Sequence, residues 1–261
     1  MKPDAFVVKG EVLASVYGPV NSRRHGLSLG INVGLTEHKI CTWSCLYCQC
    51  GFGERRDYTT EEKRISVDDL LLMIRSEALR HFDLAAITLA GNTEPGTYPQ
   101  ILELMKGLKR LKLASRSKWK IIVLSNGSEL DHPEVVHAFN LADEVWFKID
   151  TGTEELFHIL NRPLPKVGLL KDHLNRLKKI SNLKIQTMIW DNDKEPRLSN
   201  ATEENFDALL ACYAELNPAQ VHLTTVARDP ALPGVIPVSN EVLQAFADRI
   251  RIKNISTEVL I

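Results

Sequence analysis

Apolar runs of strand length alternate with longer runs of helical periodicity along most of this chain of 261 residues. Strand-type runs begin near Leu27, and helix-type residues follow each of the first six runs. Strand–helix units in series are typical of parallel sheets that helices cover. A closed eight-unit barrel needs about 250 residues for its core alone. Six units therefore favour an α/β fold in the form of an open, partial barrel.

The predicted elements follow this alternation closely. Predicted strands run approximately over Leu27 to Val33, Ala85 to Leu89, Ile121 to Leu124, Glu144 to Ile149, Leu183 to Ile189, Val221 to Val226 and Ile255 to Ile261. Predicted helices run from an N-cap at Ser66, and over Tyr98 to Leu113, Pro133 to Ala138, Val167 to Ile180, Thr202 to Leu216 and Asn240 to Ile252. The charged segment from Glu54 to Arg64 is predicted to be a loop.

The length and the pattern together indicate one domain. A chain of 261 residues is ample for one large core. We predict a single domain over residues 1–261, with an N-terminal extension of about 1–26, a barrel core of about 27–252 and a β-type run at 253–261.

The composition is that of a soluble globular protein, with 44% hydrophobic and 25% charged residues. The formal net charge of −1 gives no global positive field that would attract nucleic acid. The N-terminus lacks a signal-peptide pattern, and no stretch is apolar enough to span a bilayer. Four of the five cysteines are clustered, which is unlike a disulfide framework. We expect a cytoplasmic protein without a membrane partner.

Three cysteines in eight residues indicate the chemistry. Cys41, Cys45 and Cys48 are spaced CxxxCxxC, and thiolates at this spacing can hold three irons of a [4Fe–4S] cluster. Cys50 follows Cys48 too closely to reach a fourth corner easily, and Cys212 lies far along the chain. The fourth iron would then accept a small chelating molecule with an amine and a carboxylate, which favours an enzyme.

Two other interpretations of the cysteines remain open. A structural zinc site needs four tetrahedral ligands, and His38 could join the cysteines, although a separate second pair is missing. The thiols could also be unrelated buried residues. Cys50 stays ambiguous, whereas Cys212 lies in an apolar helical run and is assigned to packing.

Polar residues follow the carboxyl ends of the predicted strands. A parallel α/β barrel has its active site at this end of its strands. These residues are Gly91 to Gly96, Ser125 and Asn126, Lys148 and Asp150, Trp190 and Asp191, and Arg228 and Asp229. Glycine lets the backbone approach a ligand closely, and Glu94 offers a carboxylate to an ammonium group. A simple turn before a helix would explain the same run.

The segment CTWSCLYC resembles the cluster motif of the radical S-adenosylmethionine (radical SAM) superfamily, including the aromatic Tyr47 before the third cysteine. The flanking run from Tyr17 to Gly51, together with AGNTEPG, LSNGS, KIDTGT, NRP and VARDP, is similar to a subgroup related to the wyosine-forming tRNA enzymes. The resemblance covers most of the chain. It implies a (β/α)6 barrel that holds a [4Fe–4S] cluster and SAM.

The resemblance also implies roles for single residues. Cys41, Cys45 and Cys48 would hold the cluster and form the catalytic centre. The cofactor-binding residues would be Tyr47, Gly91, Asn92, Glu94, Ser125 and Asn126. Among them, Glu94 would bind the SAM amine, and Ser125 and Asn126 its ribose. Lys148 and Asp150 join this list for a different reason, because they alternate along a predicted strand and could form a polar site on one face. A structural ion pair of Lys148 with Asp150 is an equally good interpretation.

Four arginines are candidates for substrate binding because guanidinium groups pair with carboxylates and phosphates. They are Arg23, Arg24, Arg162 and Arg228. Structural caps would explain Arg162 and Arg228 as well.

The implied reaction is reductive cleavage of SAM, with hydrogen abstraction from an unidentified substrate. The resemblance implies flavodoxin or ferredoxin as electron donor and a small molecule, a peptide or tRNA as substrate. No cysteines precede Cys41, so a second cluster of the wyosine-forming type is not expected. A tRNA-modifying enzyme, an Fe–S electron carrier and a zinc-stabilised module are the alternatives.

Overall fold

The computed structural model describes residues 15–34, 39–52 and 65–261. His38 and the segment from Glu54 to Arg64 lie outside these residues. The chain divides into two compact units. The described part of unit 1 is 15–34, 39–41, 65–125 and 129–145, and that of unit 2 is 42–52, 126–128 and 146–261. The prediction of a single domain stays a prediction.

Unit 1 contains a sheet with the strand order β1-β2-β3-β4. Strand β1 runs antiparallel to β2, while β2, β3 and β4 are parallel. The strands are β1 (Val16–Ser22), β2 (Gly26–Ile31), β3 (Ala86–Leu89) and β4 (Lys120–Ser125), and the helices are α1 (Val67–Arg80), α2 (Ile101–Ala114) and α3 (Pro133–Asn140).

Unit 2 contains a parallel sheet with the order β5-β6-β7-β9, and β8 pairs antiparallel with β6. The strands are β5 (Glu144–Lys148), β6 (Lys184–Asn192), β7 (Gln220–Thr225), β8 (Val235–Pro237) and β9 (Ser256–Leu260). The helices are α4 (Glu154–Leu156), α5 (Leu170–Leu177), α6 (Glu203–Leu216) and α7 (Asn240–Arg251), and a π-helical turn (Phe157–Asn161) continues α4.

The predicted alternation is confirmed within the described residues. Each strand from β2 to β7 is followed by a helix, which gives six strand–helix units. Ser66 caps α1 as predicted, because its side chain accepts a hydrogen bond from the backbone N–H of Asp69. Local sequence signals therefore identified these elements correctly.

Three elements were not predicted. Strand β1 contains Gly18 and Pro19 and a register shift between Tyr17 and Val20, so its sequence lacks a regular strand pattern. Strand β8 has only three residues. The helical turn from Glu154 to Asn161 ends at Arg162 in a left-handed conformation, with φ of 51°. The predicted N-terminal extension therefore includes an edge strand.

Gly152 lets the loop after β5 approach helix α6 closely. A Cβ atom at this position would lie 2.3 Å from the carbonyl carbon of Ala208 and 2.4 Å from the nitrogen of Leu209. Both atoms belong to the helix backbone and cannot rotate away. Gly107 in α2 differs, because a Cβ there would first meet the end of the Leu71 side chain at 2.3 Å.

We predict that Gly152→Ala lowers the free energy of unfolding by about 2 kcal/mol or more, because the helix backbone must shift. Gly107→Ala is the matched control, and its change stays within about 1 kcal/mol, because Leu71 can move and alanine favours a helix. Urea unfolding measures both. Equal stability of the Gly152→Ala variant and the wild type would contradict the close approach.

Candidate active site

The cysteine segment begins in unit 1 against the loop that follows β3. The N–H of Ile40 donates to the carbonyl of Asn92 at 3.0 Å, and the N–H of Glu94 donates to the carbonyl of Ile40 at 2.8 Å. Cys41 follows Ile40 directly and is half-buried. Main-chain pairing therefore places the first cysteine next to the acidic loop that the sequence predicted.

The carboxylate of Glu94 is held inside this loop. Its Oε1 accepts hydrogen bonds from Ser125 Oγ at 2.5 Å and from the N–H of Gly96 at 3.2 Å. The side chain of Thr97 donates to the Glu94 carbonyl at 2.8 Å. Glu94 is 7% exposed. The structure thus brings together Glu94 and Ser125, two residues with predicted SAM contacts.

Asn32 adds a residue that the sequence did not single out. It follows the end of β2 and is buried, and its Nδ2 donates to the carbonyl of Gly34 at 3.0 Å. Within the described part of the chain, no donor reaches its Oδ1. A Cβ on Gly91 would lie 2.5 Å from this oxygen. The only sequence signal was the position of Asn32 at a strand end.

The rest of the cysteine segment lies in unit 2 and pairs with the backbone at the end of the π-helical turn and just after it. The N–H of Ser44 donates to the carbonyl of Asn161 at 3.0 Å, and that of Leu46 to the carbonyl of Leu160 at 3.0 Å. The N–H of Leu164 donates to the carbonyl of Thr42 at 2.8 Å. These bonds hold the segment around Cys45 without using the thiol groups.

Asp150 is a buried acceptor at the end of β5. Its Oδ2 accepts from Tyr47 Oη at 2.7 Å and from Asn161 Nδ2 at 2.9 Å. Its Oδ1 accepts from the N–H of Met188 at 2.8 Å and lies 3.0 Å from Lys148 Nζ. Four protein donors surround this carboxylate, which favours the structural interpretation of the Lys148–Asp150 pair. The predicted cofactor role of Asp150 stays a prediction.

Tyr47 lies between Cys45 and Cys48 in the sequence and links this segment to Asp150. Its ring lies 4.9 Å from the ring of Trp190, and Lys148 Nζ is 5.1 Å from its centre. Burial, reinforced by the negative charge of Asp150, raises the pKa of Tyr47 well above its ordinary value. Tyr47 is therefore a neutral hydrogen-bond donor at physiological pH.

Asn126 also supports the cysteine segment. Its Nδ2 donates to Thr42 Oγ1 at 2.9 Å, and its Oδ1 accepts from the N–H of Ser128 at 2.9 Å. The hydroxyls of Thr42 and Ser128 are 2.6 Å apart. The predicted ribose role of Asn126 stays a prediction, and the observed contacts are structural.

The cysteines form no disulfide. Cys45 is buried, whereas Cys41, Cys48 and Cys50 are half-buried. The N–H of Cys48 donates to the carbonyl of Cys45 at 3.2 Å, which closes a turn between them. In the described residues, no three His, Cys, Asp or Glu side chains are arranged to hold a metal ion.

The predicted substrate arginines occupy different places. Arg228 Nη1 donates to Gln49 Oε1 at 2.9 Å, next to Cys48. The guanidinium of Arg162 lies 4.9 Å from the centre of the Phe52 ring. Arg23 and Arg24 lie in the turn before β2, at the opposite end of that strand from Asn32. Their placement lends no support to a shared site with Glu94.

An aromatic cluster lies under the cysteine segment. The His173 ring is 5.1 Å from the Trp43 ring and is stacked on Phe157 at 5.8 Å. His173 Nε2 lies 3.2 Å from the carbonyl of Lys148. Burial lowers the pKa of His173 to about 4, and the Arg176 charge acts in the same direction. The imidazole is therefore neutral at pH 7.

No family model matches the chain. A protein named GTPase Obg from Brachyspira hyodysenteriae is 28% identical over 233 residues, which are 89% of this chain and 32% of that protein. Two proteins named UPF0026 from Helicobacter pylori strains are 28% identical over 218 residues and 33% identical over 158. The alignments cover 82% and 60% of this chain, and 66% and 49% of those proteins.

Solved structures with a similar fold share less sequence. A radical SAM methyltransferase from Sphaerobacter thermophilus matches with a TM-score of 0.62 and 14% identity over 89% of this chain and 65% of that chain. SuiB from Streptococcus suis, bound to the precursor peptide SuiA, matches with a TM-score of 0.63 and 13% identity over 90% of this chain and 50% of the SuiB chain. This chain has the radical SAM fold.

This shared fold confirms the predicted fold class, an open α/β barrel. TYW1 with a lysine–pyruvate adduct also matches, with a TM-score of 0.56 and 13% identity over 86% of this chain and 73% of that chain.

The chain spans from about a third to two thirds of the length of the curated relatives named above. The Brachyspira relative is named as a GTPase, but only 32% of its length aligns with this chain. A nucleotide-binding P-loop needs a Gly-Lys pair, and this sequence contains none.

No helix in the described residues has the length and apolarity needed to cross a membrane.

We predict that His173 makes stability depend on pH. Its folded-state pKa lies below the unfolded value of about 6.5, so its contribution is complete above pH 6.5 and is lost as the pH falls toward 4. The loss is about 3 kcal/mol. In His173→Phe this part of the pH dependence disappears.

Urea unfolding between pH 7 and pH 4 measures the difference between the two proteins. His137→Phe, at an exposed position of α3, is the matched control and keeps the wild-type slope. Parallel curves for wild type and His173→Phe would show that His173 is not held neutral by its surroundings.

Proposed function

We propose that this chain is a radical SAM enzyme that holds a [4Fe–4S] cluster with Cys41, Cys45 and Cys48 and cleaves SAM reductively. The observation that carries the proposal is the fold together with the main-chain bonds that join Ile40, next to Cys41, to the loop of Glu94. An acidic side chain beside a three-cysteine motif suits a ligand whose amine and carboxylate reach the open iron.

The donor set fits a cluster. Thiolates are the usual ligands of Fe–S clusters, whereas magnesium and calcium prefer oxygen. The three cysteines form no disulfide, and the main-chain bond from Cys48 to Cys45 fixes the turn that joins the second and third of them. A zinc module stays a weaker alternative, because its fourth ligand would have to come from Cys50 or from His38.

The residues near Cys41 fit SAM. Glu94 supplies a negative charge that is only 7% exposed, and Ser125 orients it. Asn32 supplies a buried oxygen that lacks a donor among the described residues. A buried acceptor without a partner costs about 1–3 kcal/mol, so a ligand ammonium group would relieve that cost. We propose that Glu94 and Asn32 bind the SAM amine.

When bound, the cluster would supply one electron to the SAM sulfonium, which releases methionine and a 5′-deoxyadenosyl radical that takes a hydrogen atom from the substrate. The protein positions the ligands and excludes water. Trp43, Cys45 and Leu46 are all buried, so this part of the cysteine segment is closed to solvent. Tyr47, held neutral by burial, offers no charge that would compete with SAM.

For the electron donor and the substrate, we propose only the chemical class. A flavodoxin or ferredoxin would supply the electron, and the substrate would be a small molecule, a peptide or tRNA. Arg228 donates a hydrogen bond to Gln49, the residue after Cys48. It is therefore the favoured arginine for substrate binding. A cytoplasmic location agrees with the need for a reducing environment.

We predict that anaerobically reconstituted wild type binds about four irons and four sulfides per chain, as a cubane requires, and forms 5′-deoxyadenosine from SAM with dithionite. Iron analysis and chromatography measure both. Iron without SAM cleavage would indicate an electron carrier, and one zinc without iron would indicate a zinc module.

The same experiment on two matched variants tests the ligand assignment. Cys45→Ala loses the cluster, whereas Cys50→Ala keeps iron near the wild-type content. A Cys50→Ala variant without iron would overturn the assignment of three ligands.

We predict that Glu94→Gln weakens SAM binding about tenfold or more, because the amide keeps the shape but removes the charge. Iron content stays at the wild-type level. Glu103→Gln removes the same charge from an exposed position on α2 and serves as the control. Equilibrium dialysis of labelled SAM measures the affinity. An unchanged affinity would remove Glu94 from the SAM site.

A further inference from the structure

Asn161 contacts the sulfur of Cys45 directly. Its Nδ2 donates to Cys45 Sγ at a distance of 3.5 Å. Asn161 ends the π-helical turn and is fully buried. The sequence analysis named Asn161 only as part of the run NRP. The π-helical turn that carries its side chain was not predicted.

Three further contacts fix the orientation of this amide. Nδ2 also donates to Asp150 Oδ2 at 2.9 Å, and Oδ1 accepts from Thr151 Oγ1 at 3.2 Å. The Asp150 carboxylate can only accept, so it requires the NH2 group on its side. The backbone carbonyl of Asn161 accepts from Ser44. The nitrogen therefore points at both Asp150 and the sulfur.

The position of the amide between a carboxylate and a thiolate has an electrostatic consequence. The same nitrogen bridges Asp150 Oδ2 and Cys45 Sγ, so a donor dipole separates two negative groups. Lys148 Nζ, 3.0 Å from Asp150 Oδ1, offsets the carboxylate charge on its other side. A donor aimed at a ligand sulfur stabilises the more negative state of a cluster.

We propose that Asn161 is a positioning residue that raises the reduction potential of the cluster through its N–H···S bond to Cys45. The inference rests on the proposed function, because it requires a cluster on Cys45. It extends that function by naming the group that adjusts how readily the cluster accepts an electron. The residue would touch a ligand of the cluster and neither SAM nor substrate.

The test is a redox titration of the reconstituted protein without SAM, followed by EPR. Asn161→Leu matches the shape of the amide and removes the donor, and Asn161→Ser shortens the side chain, so that its hydroxyl lies too far from the sulfur to replace the amide N–H. Both variants are expected to show a lower potential. At a fixed solution potential, the ratio of reduced to oxidised cluster falls by a factor of about 2 to 10, the range for one hydrogen bond.

Thr151→Val is the matched control. It removes the bond to Asn161 Oδ1 and leaves the bond from Nδ2 to sulfur in place. Its potential stays near that of the wild type. A shift in Thr151→Val as large as in the Asn161 variants would overturn the inference, because general loosening of the network would then explain it.

The outcomes separate the inference from the function on which it rests. Wild type without a [4Fe–4S] signal would refute the proposed function. A wild-type cluster with equal potentials in Asn161→Leu and Asn161→Ser would refute only the role of Asn161. Loss of the cluster from both variants, with retention in Thr151→Val, would also overturn it and would assign Asn161 to cluster assembly.

Discussion

Main-chain hydrogen bonds hold the cysteine segment of this protein, and the candidate site depends on them. In unit 1, Ile40 pairs with the backbone of Asn92 and Glu94. In unit 2, residues 42–46 pair with the backbone of residues 160–164. Backbone pairing is indifferent to side-chain identity, so it shapes the segment whichever side chains it carries. The protein can thus shape the segment before any cofactor binds.

Buried polar side chains complete this arrangement, and Asp150 has the largest part in it. The carboxylate of Asp150 accepts from Tyr47, Asn161 and the backbone of Met188. A buried carboxylate is costly unless it is paired and hydrogen-bonded. Asp150 meets this condition and joins the cysteine segment to β5 and β6. The buried oxygen of Asn32 is the contrasting case, since no described donor reaches it.

The sequence predicted the features that are encoded locally. Alternating apolar runs predicted the strand–helix units, and Ser66 was predicted as a helix cap; both are present in the structure. Features that depend on distant contacts were missed. Asn161 contacts Cys45 across 116 positions of the chain and lies at the end of a π-helical turn that was not predicted. Arg23 and Arg24 lie in the β1–β2 turn, a position that no local pattern predicted, and their role in substrate binding stays a prediction.

The central claim is that an open iron on the cluster receives SAM, and EPR of the reduced, reconstituted protein tests it most directly. The account predicts a signal from a [4Fe–4S]+ cluster that changes shape when SAM is added, because the amine and carboxylate would then bind the iron that lacks a cysteine. A cluster signal that is identical with and without saturating SAM would contradict the account.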